Sequence, residues 1–133
     1  LFETFLNVWF VECFEDGIYH FSPGKFDLEF LKKGKFARLL AQAALGQEIV
    51  ATAQVTFSWS AVLERSKWKY RQRAYRYIYL DAGHICQNLY LAGEAVGLGV
   101  CAIGAFFDDD INEIVGLDGT DETIIYMAAV GKV

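Results

Sequence analysis

Side chains able to do chemistry concentrate between Glu64 and Arg76. That window holds six of the chain's twelve cations, Arg65, Lys67, Lys69, Arg71, Arg73 and Arg76, interleaved with Trp68, Tyr70 and Tyr75. Cations alternating with aromatic rings can contact phosphates and stack on bases. Only this window is basic, however, and the chain as a whole carries a net charge of −5, which argues against nucleic acid as a partner. Two readings stay open: a solvated charged face, and a site for a phosphate-bearing cofactor or an anionic substrate.

Elsewhere the chemistry is sparse. With two histidines and no clustered cysteines, the chain has no metal-binding pattern. His84 stands alone in an apolar stretch, where a histidine is ordinarily a hydrogen-bonded core residue, and His20 has no evident partner. Cys13, Cys86 and Cys101 are odd in number, lie in apolar surroundings and form no C-x-x-C, which reads as buried free thiols of a reducing compartment, hence a cytoplasmic protein. No G-x-S-x-G occurs, so a hydrolase nucleophile of that type has no support. Gly97, Gly99 and Gly104 follow a helical stretch and precede or punctuate a strand. A Rossmann or P-loop phosphate site needs strand, glycines, then helix, so both are excluded. Small residues at 102, 104 and 105 would let bare backbone approach a flat ligand edge, or a buried strand pack tightly on its neighbours.

These residues need a scaffold, and the longest element available runs from Tyr75 to Val96. Ile78, Ala82, Ile85, Leu89, Ala92 and Val96 recur at steps of three and four, one face of an α-helix, while Leu80, Tyr90 and Leu91 cover other sides. The pattern predicts a helix buried on more than one side, with Asp81, His84, Gln87 and Asn88 as a polar stripe along it. Gly97 suits the left-handed residue that ends such a helix. The following run, Val100 to Phe106, reads as a strand. Asp108 to Val115 reads as a short helix with acids in its first turn, and Thr123 to Val130 as a last buried strand.

Upstream, an apolar opening segment, Gly17 to Phe21 and Phe26 to Leu31 read as a three-stranded antiparallel meander. Lys35 to Leu45 has helical spacing, Ile49 to Thr52 is merely short and apolar, and Gln54 to Ser60 alternates as a strand. The expectation is a single α+β domain over residues 1–133. Apolar residues make up 54% of the chain, hard to hide in so small a monomer, so a two-fold dimer with the central helix at or near the interface is expected. Glu94 and the glycines at 97 and 99 interrupt the one stretch of near membrane-span length, and no signal-peptide pattern is present, so a soluble protein is expected. The chain opens on Leu1 inside an apolar run, which reads as a fragment of a longer protein.

Several segments, in order along nearly the whole chain, resemble a known family: Leu45-Gly46-Gln47-Glu48, Trp68-Lys69-Tyr70-Arg71 with Arg73-Ala74-Tyr75-Arg76-Tyr77, Ala82-Gly83-His84, Gly97-Leu98-Gly99 with Cys101-Ala102-Ile103-Gly104, and Ala129-Val130-Gly131-Lys132. They are similar to SagB-type dehydrogenases, the azoline-oxidase branch of the nitroreductase superfamily. The resemblance implies an α+β sheet flanked by helices around a long central helix, an intertwined homodimer, and FMN at each of two interface sites. It implies hydride transfer at flavin N5, from a peptide thiazoline or oxazoline in this branch. It implies that Lys69 and Tyr70 assist by proton transfer, a task that exists because aromatisation must lose a proton as well as a hydride. Ala102, Ile103, Gly104 and Ala105 match the backbone edge over the flavin ring, and Lys132 matches a position near which the family adds basic residues.

One departure stands out. The family holds the FMN phosphate with an N-terminal segment rich in arginine and serine, which has no counterpart in these residues, so the chain is expected to be the C-terminal portion of the family domain. Two alternatives accompany the flavoenzyme: a flavin-free dimerisation module, and a general nitro- or quinone reductase fed by a nicotinamide cofactor. Expected partners are a second copy and a small-molecule or modified-peptide substrate, with neither nucleic acid nor a membrane.

Overall fold

The computed structural model describes residues 1–132. The opening meander forms as expected: β1 (Phe2–Val8), β2 (Gly17–Ser22) and β3 (Asp27–Lys33) pair antiparallel in sequence order. Two short helices follow, α1 (Ala37–Ala43) and α2 (Glu48–Thr52), the second where the sequence showed only a short apolar run. After β4 (Val55–Val62) come α3 (Glu64–Tyr70), a 3-10 turn over Arg71–Arg73 and the long α4 (Ala74–Ala95). The chain closes with β5 (Leu98–Ile103), α5 (Asp108–Val115) and β6 (Glu122–Lys132). The six strands make one sheet in the order β3-β2-β1-β4-β6-β5, every neighbouring pair antiparallel, so the fold is α+β as expected.

Both faces of the sheet are used. Helices α1, α2 and α5 cover one face through a core of Ile18, Leu40, Val50, Ile103, Ile111 and Met127. On the other face α4 lies over β4, β5 and β6, with Cys86 against Trp59 and Ala128 and with Ile85 and Leu89 beside Val100 and Tyr126. A bulge opposite Trp59 and Ser60 adds Ile125 to β6, so Ile124 and Met127 face the same core although their spacing is odd.

Helix and strand run close together where α4 meets β5. A Cβ on Gly93 would stand 2.6 Å from Val100 Cγ2 and 3.2 Å from the Leu98 carbonyl oxygen. Gly97 then turns the chain with φ of +73°, in the left-handed region that favours glycine, as the sequence predicted. Within one chain, α4 buries a single side, through Ala74, Ile78, Ala82, Cys86 and Gly93. Tyr79, Leu80, Leu91 and Val96 are exposed. The polar stripe lies outside the core as well, and His84, a core histidine by expectation, is exposed, with Nδ1 2.9 Å from the Leu80 carbonyl. Among the described residues no helix is long and apolar enough to cross a membrane.

The meander is tied to α3 by charge. His20, which showed no partner in the sequence, has Nε2 3.0 Å from Glu3 and Nδ1 3.6 Å from Glu29, while Arg65 pairs with the other Glu3 oxygen. Burial pushes the Glu3 carboxyl up, but hydrogen bonds from Arg65 and His20 together hold it below the ordinary glutamate value.

Two outcomes follow from this packing. Gly93→Ala should cost about 1–3 kcal/mol through overpacking against β5, despite alanine's better helix propensity, and appear as a lower urea midpoint at unchanged m; an unchanged midpoint would mean that α4 and β5 do not touch. A carboxyl depressed by folding stabilises above its unfolded pKa of about 4.3, and that contribution is lost as pH falls through the lower folded value. Glu3→Gln should therefore cost stability at neutral pH and flatten the acid limb of the stability curve, and equal acid limbs in the two proteins would show that the ion pairs contribute nothing.

Candidate functional site

Strand alternation turns Gly99 and Cys101 toward the α2 side of the sheet, opposite Gly131 and Ala129 of β6. Over this end stand α2 and the two residues leading into β4, leaving a slot of about 370 Å³ lined by Ile49, Thr52, Gln54, Gly99, Cys101 and Lys132. That volume lies within the range of small-molecule sites. Glycine at 99 and 131 leaves bare backbone as part of the floor. A Cβ on Gly131 would stand 2.6 Å from Gln54 Oε1, so the glycine is what lets Gln54 close over the strand, where its side-chain oxygen accepts the Lys132 N–H at 3.1 Å. The lining is mixed: apolar Ile49 and Cys101, the hydroxyl of Thr52, the amide of Gln54, and one cation, Lys132. Such a surface suits a flat, partly polar ring.

The structure distributes the sequence-predicted residues unevenly around this slot. Lys132 lines it. Ala102 faces α4, and its N–H donates to the Tyr90 hydroxyl at 2.8 Å. Ile103 is 1% exposed, its side chain in the core beneath α1, α2 and α5. Gly104 and Ala105 are exposed just past the end of β5, and Gln47 Nε2 joins them to α2 by donating to the Ala105 carbonyl at 2.9 Å. Residues 102–105 therefore do not present one surface, because a strand sends successive side chains to opposite faces. The sequence reading missed Thr52, Gln54 and Cys101. For Cys101 the signal was present in its alternation with Gly99; for Thr52 and Gln54 nothing local marks them.

Lys69 and Tyr70 end α3, and the slot's lining includes none of residues 64–76. The Lys69 ammonium lies 5.2 Å from the centre of the Tyr70 ring, and that ring meets Tyr77 edge-on at 4.9 Å. Lys67 Nζ sits 5.7 Å from the Tyr75 ring centre and 3.4 Å from Glu64; hydrogen bonding to Tyr75, then to Glu64, holds its ammonium above the ordinary lysine value. Arg71, between the helices, has φ of +51° and ψ of −132°, a backbone conformation rare outside glycine. Among the described residues, Arg65 and Lys67 are ion-paired, whereas Lys69, Arg71, Arg73 and Arg76 are in no ion pair. No group of acidic, histidine or cysteine side chains suited to a metal ion occurs among the described residues. The three cysteines are free; Cys86 is buried and Cys101 partly so, but Cys13, in the loop between β1 and β2, is exposed. A second, almost wholly apolar groove of about 380 Å³ lies between α4 and the sheet, lined by Leu6, Val8, Phe57, Leu89, Val96 and Leu98 among others.

Known proteins share this architecture. A protein of Methanocaldococcus jannaschii assigned to the nitroreductases is 34% identical over 113 residues, which cover 85% of this chain and 57% of that protein. A crystal structure of a protein of Anabaena variabilis, also assigned as a nitroreductase, superposes with a TM-score of 0.93 at 38% identity, over 99% of this chain and 27% of its own. The E. coli microcin synthetase McbBCD complex with truncated pro-microcin bound superposes with a TM-score of 0.85 over 99% of this chain and 52% of that one, at 21% identity, a likeness of fold alone. The chain thus spans little more than half the length of its curated relative. Residues 20–132 match the model of the nitroreductase family, and the chain belongs to that family.

Proposed function

We propose that residues 1–133 form the C-terminal portion of a nitroreductase-family domain that binds FMN and transfers hydride at flavin N5, working as a two-fold homodimer. The observation that carries this reading is the glycine-floored slot with its mixed lining, at whose edge Lys132 stands. In a bound flavin the ring supplies the hydride chemistry, and the protein holds and tunes it. Lys132 would hold an anionic group, Gln54 would offer its amide, and the backbone at Gly99 would meet a flat face. The exposed Gly104 and Ala105 would extend that contact beyond β5, while Ala102 and Ile103 act from behind by fixing the strand to α4 and to the core.

For the substrate we favour the azoline-oxidase branch, in which a peptide thiazoline or oxazoline gives up a hydride and a proton. The run from Trp68 to Tyr77, matching that branch in sequence, supports it. Lys69 as its neutral amine, or Tyr70 as its phenolate, would take the proton and so become ammonium or phenol: the two side chains lie together on an exposed corner, open to a substrate as large as a peptide.

Flavin binding is tested on the purified chain. Added FMN should lose fluorescence, and Lys132→Ala should weaken uptake about tenfold, the worth of one hydrogen bond to a charged group. A thiol reagent should modify exposed Cys13 first, Cys101 next and Cys86 last, since burial raises the Cys86 thiol pKa. FMN should protect Cys101 alone. Protein that quenches no FMN and shows no such protection is the flavin-free dimerisation module instead.

The proton-transfer role has its own check. Lys69→Ala should lower kcat for azoline oxidation by about 10²–10⁴-fold while FMN uptake stays as before. Azoline oxidation undiminished in that variant would remove the role, and turnover of nitro compounds or quinones with a nicotinamide donor, without azoline oxidation, would assign the general reductase.

A further inference from the structure

Helix α2 forms a wall of the slot and is weakly held. It has five residues, and Val50 is the only one whose side chain is buried. The joint before it is strained: Leu45 has φ of +58° and Gly46 φ of +73°, and a left-handed leucine is uncommon because its Cβ crowds the backbone. No side chain caps its first turn. Gln47 latches it instead, donating from Nε2 to the carbonyls of Ala44 and Ala105, each at 2.9 Å. Behind α2, on the side away from the slot, lies another cavity, of about 520 Å³, lined by Trp9, Lys35, Arg38, Glu48 and Thr52 among others. Thr52 lines both spaces, so α2 is the partition between them.

Under this partition the sheet is polar and unsatisfied. Leu6 and Val8 of β1, and Val55 and Phe57 of β4, turn toward the apolar groove beside α4, so Asn7 and Thr56 turn the other way, toward α2. The two are direct partners in register, and their row continues to Ala129 in the slot on one side and to Ile18 on the other. Helix α2 spans this row: Ile49 lines the slot with Ala129, and Val50 packs into the core that contains Ile18. Asn7 is 4% exposed and Thr56 0%, yet the amide oxygen and nitrogen of Asn7 and the hydroxyl of Thr56 have no hydrogen-bond partner among the described residues. A buried polar group without a partner raises the free energy of the state that buries it. The state raised here is the one with α2 closed. With α2 lifted, water reaches all three groups.

We propose that α2 is a lid: it lifts between Gly46 and Ala53 to admit a ligand to the slot, and the unpaired Asn7 and Thr56 set how often it does so. The inference deepens the reading of the slot and takes its ligand, a flat ring, from the proposed function, whereas the lid itself rests on residues of α2, β1 and β4. Lifting joins the slot to the cavity behind α2 and widens the way in. A bound ring then favours closure by its contacts with Ile49 and Thr52, since a ligand shifts such an equilibrium toward the state it touches more. Local opening of this kind belongs to segments with few buried side chains. A lid fully satisfied when shut would open rarely, and the unpaired groups keep exchange fast.

Thiol labelling and hydrogen exchange read the lid without any flavin. Cys101 lines the slot and is partly buried, so its modification reports opening, as do the Val50 and Ala53 amides, which donate to the Gln47 and Ile49 carbonyls. Thr56→Val and Asn7→Leu remove the unpaired groups at nearly constant size. Each should slow Cys101 labelling and α2 exchange about tenfold and raise the thermal midpoint, with Cys13 labelling unchanged. Gln47→Ala, which frees the latch, should speed Cys101 labelling and α2 exchange about tenfold. Lower midpoints with unchanged labelling in both polar-to-apolar variants would mean that Asn7 and Thr56 are satisfied in the folded protein, and overturn the proposal. So would α2 amides of the unaltered chain that exchange only with global unfolding, or Gln47→Ala without effect. Where FMN is taken up, Thr56→Val should slow its association and dissociation together, and unchanged association would overturn the entry role. A chain that takes up no FMN but shows these labelling and exchange changes keeps the lid and loses the flavin.

Discussion

The approach of α4 to β5 is the contact on which the rest of the structure depends. A helix and the strand that follows it can lie this close only if the helix presents no side chain at the crossing, and Gly93 satisfies that: a single added carbon would penetrate Val100. Because the strand is held there, Tyr90 can reach over its outer edge and accept the Ala102 N–H, satisfying one of the backbone donors that an edge strand leaves unpaired. Because that edge is fixed, the opposite side of the strand keeps its register with β6, and the glycines at 99 and 131 fall together as the floor of the slot. The slot lies on one face of the sheet and the helix on the other. Packing on one side thus sets the geometry on the far side.

Much of this was legible in the sequence, and the parts that were not have physical reasons. Helix α4 announced itself because its apolar residues keep helical spacing for six turns, and Gly97 marked its end because only a glycine takes φ of +73° without cost. Strands β3 and β4 were carried by alternation, and β1 by its density of apolar residues up to the turn at Glu15-Asp16-Gly17. Helix α2 was not legible: five residues are too few to display a period, and its apolar members resemble a strand as well as a helix. The second exposed side of α4 was legible as apolar but not as exposed, since periodicity reports which residues avoid water and is silent about whether their cover comes from the same chain. Cys13 misled in the same way, for its neighbours Phe10, Val11 and Phe14 are apolar and Phe10 and Phe14 nevertheless stand in solvent.

The site was legible only in part because its pieces are distant in sequence. Lys132 came with the resemblance, and the glycines of β5 and β6 with their spacing, but Thr52 and Gln54 join them solely through the sheet order that places β4 and β6 side by side. Residues 102–105 were grouped because they are consecutive, and a strand divides consecutive residues between its faces. The resemblance therefore assigned to one surface more residues than one face of a strand can offer.

Arg71 bears on how the basic corner is held. A non-glycine residue with φ of +51° and ψ of −132° carries a cost of about 1–3 kcal/mol, and a chain keeps such a conformation only where its surroundings allow no other. Those surroundings are Tyr70 edge-on to Tyr77 and Lys67 over Tyr75, contacts that clamp the end of α3 to the first turn of α4 from both sides of the arginine. A regular continuation of α3 into α4 would relieve the arginine and would set Lys69, Arg73 and Arg76 on one face, at steps of four and three, with Arg71 on the other side. The 3-10 turn over Arg71–Arg73 interrupts that continuation instead, and the chain changes direction between α3 and α4 at the arginine's positive φ. The strained turn persists because the ring contacts on either side of it hold α3 and α4 in place.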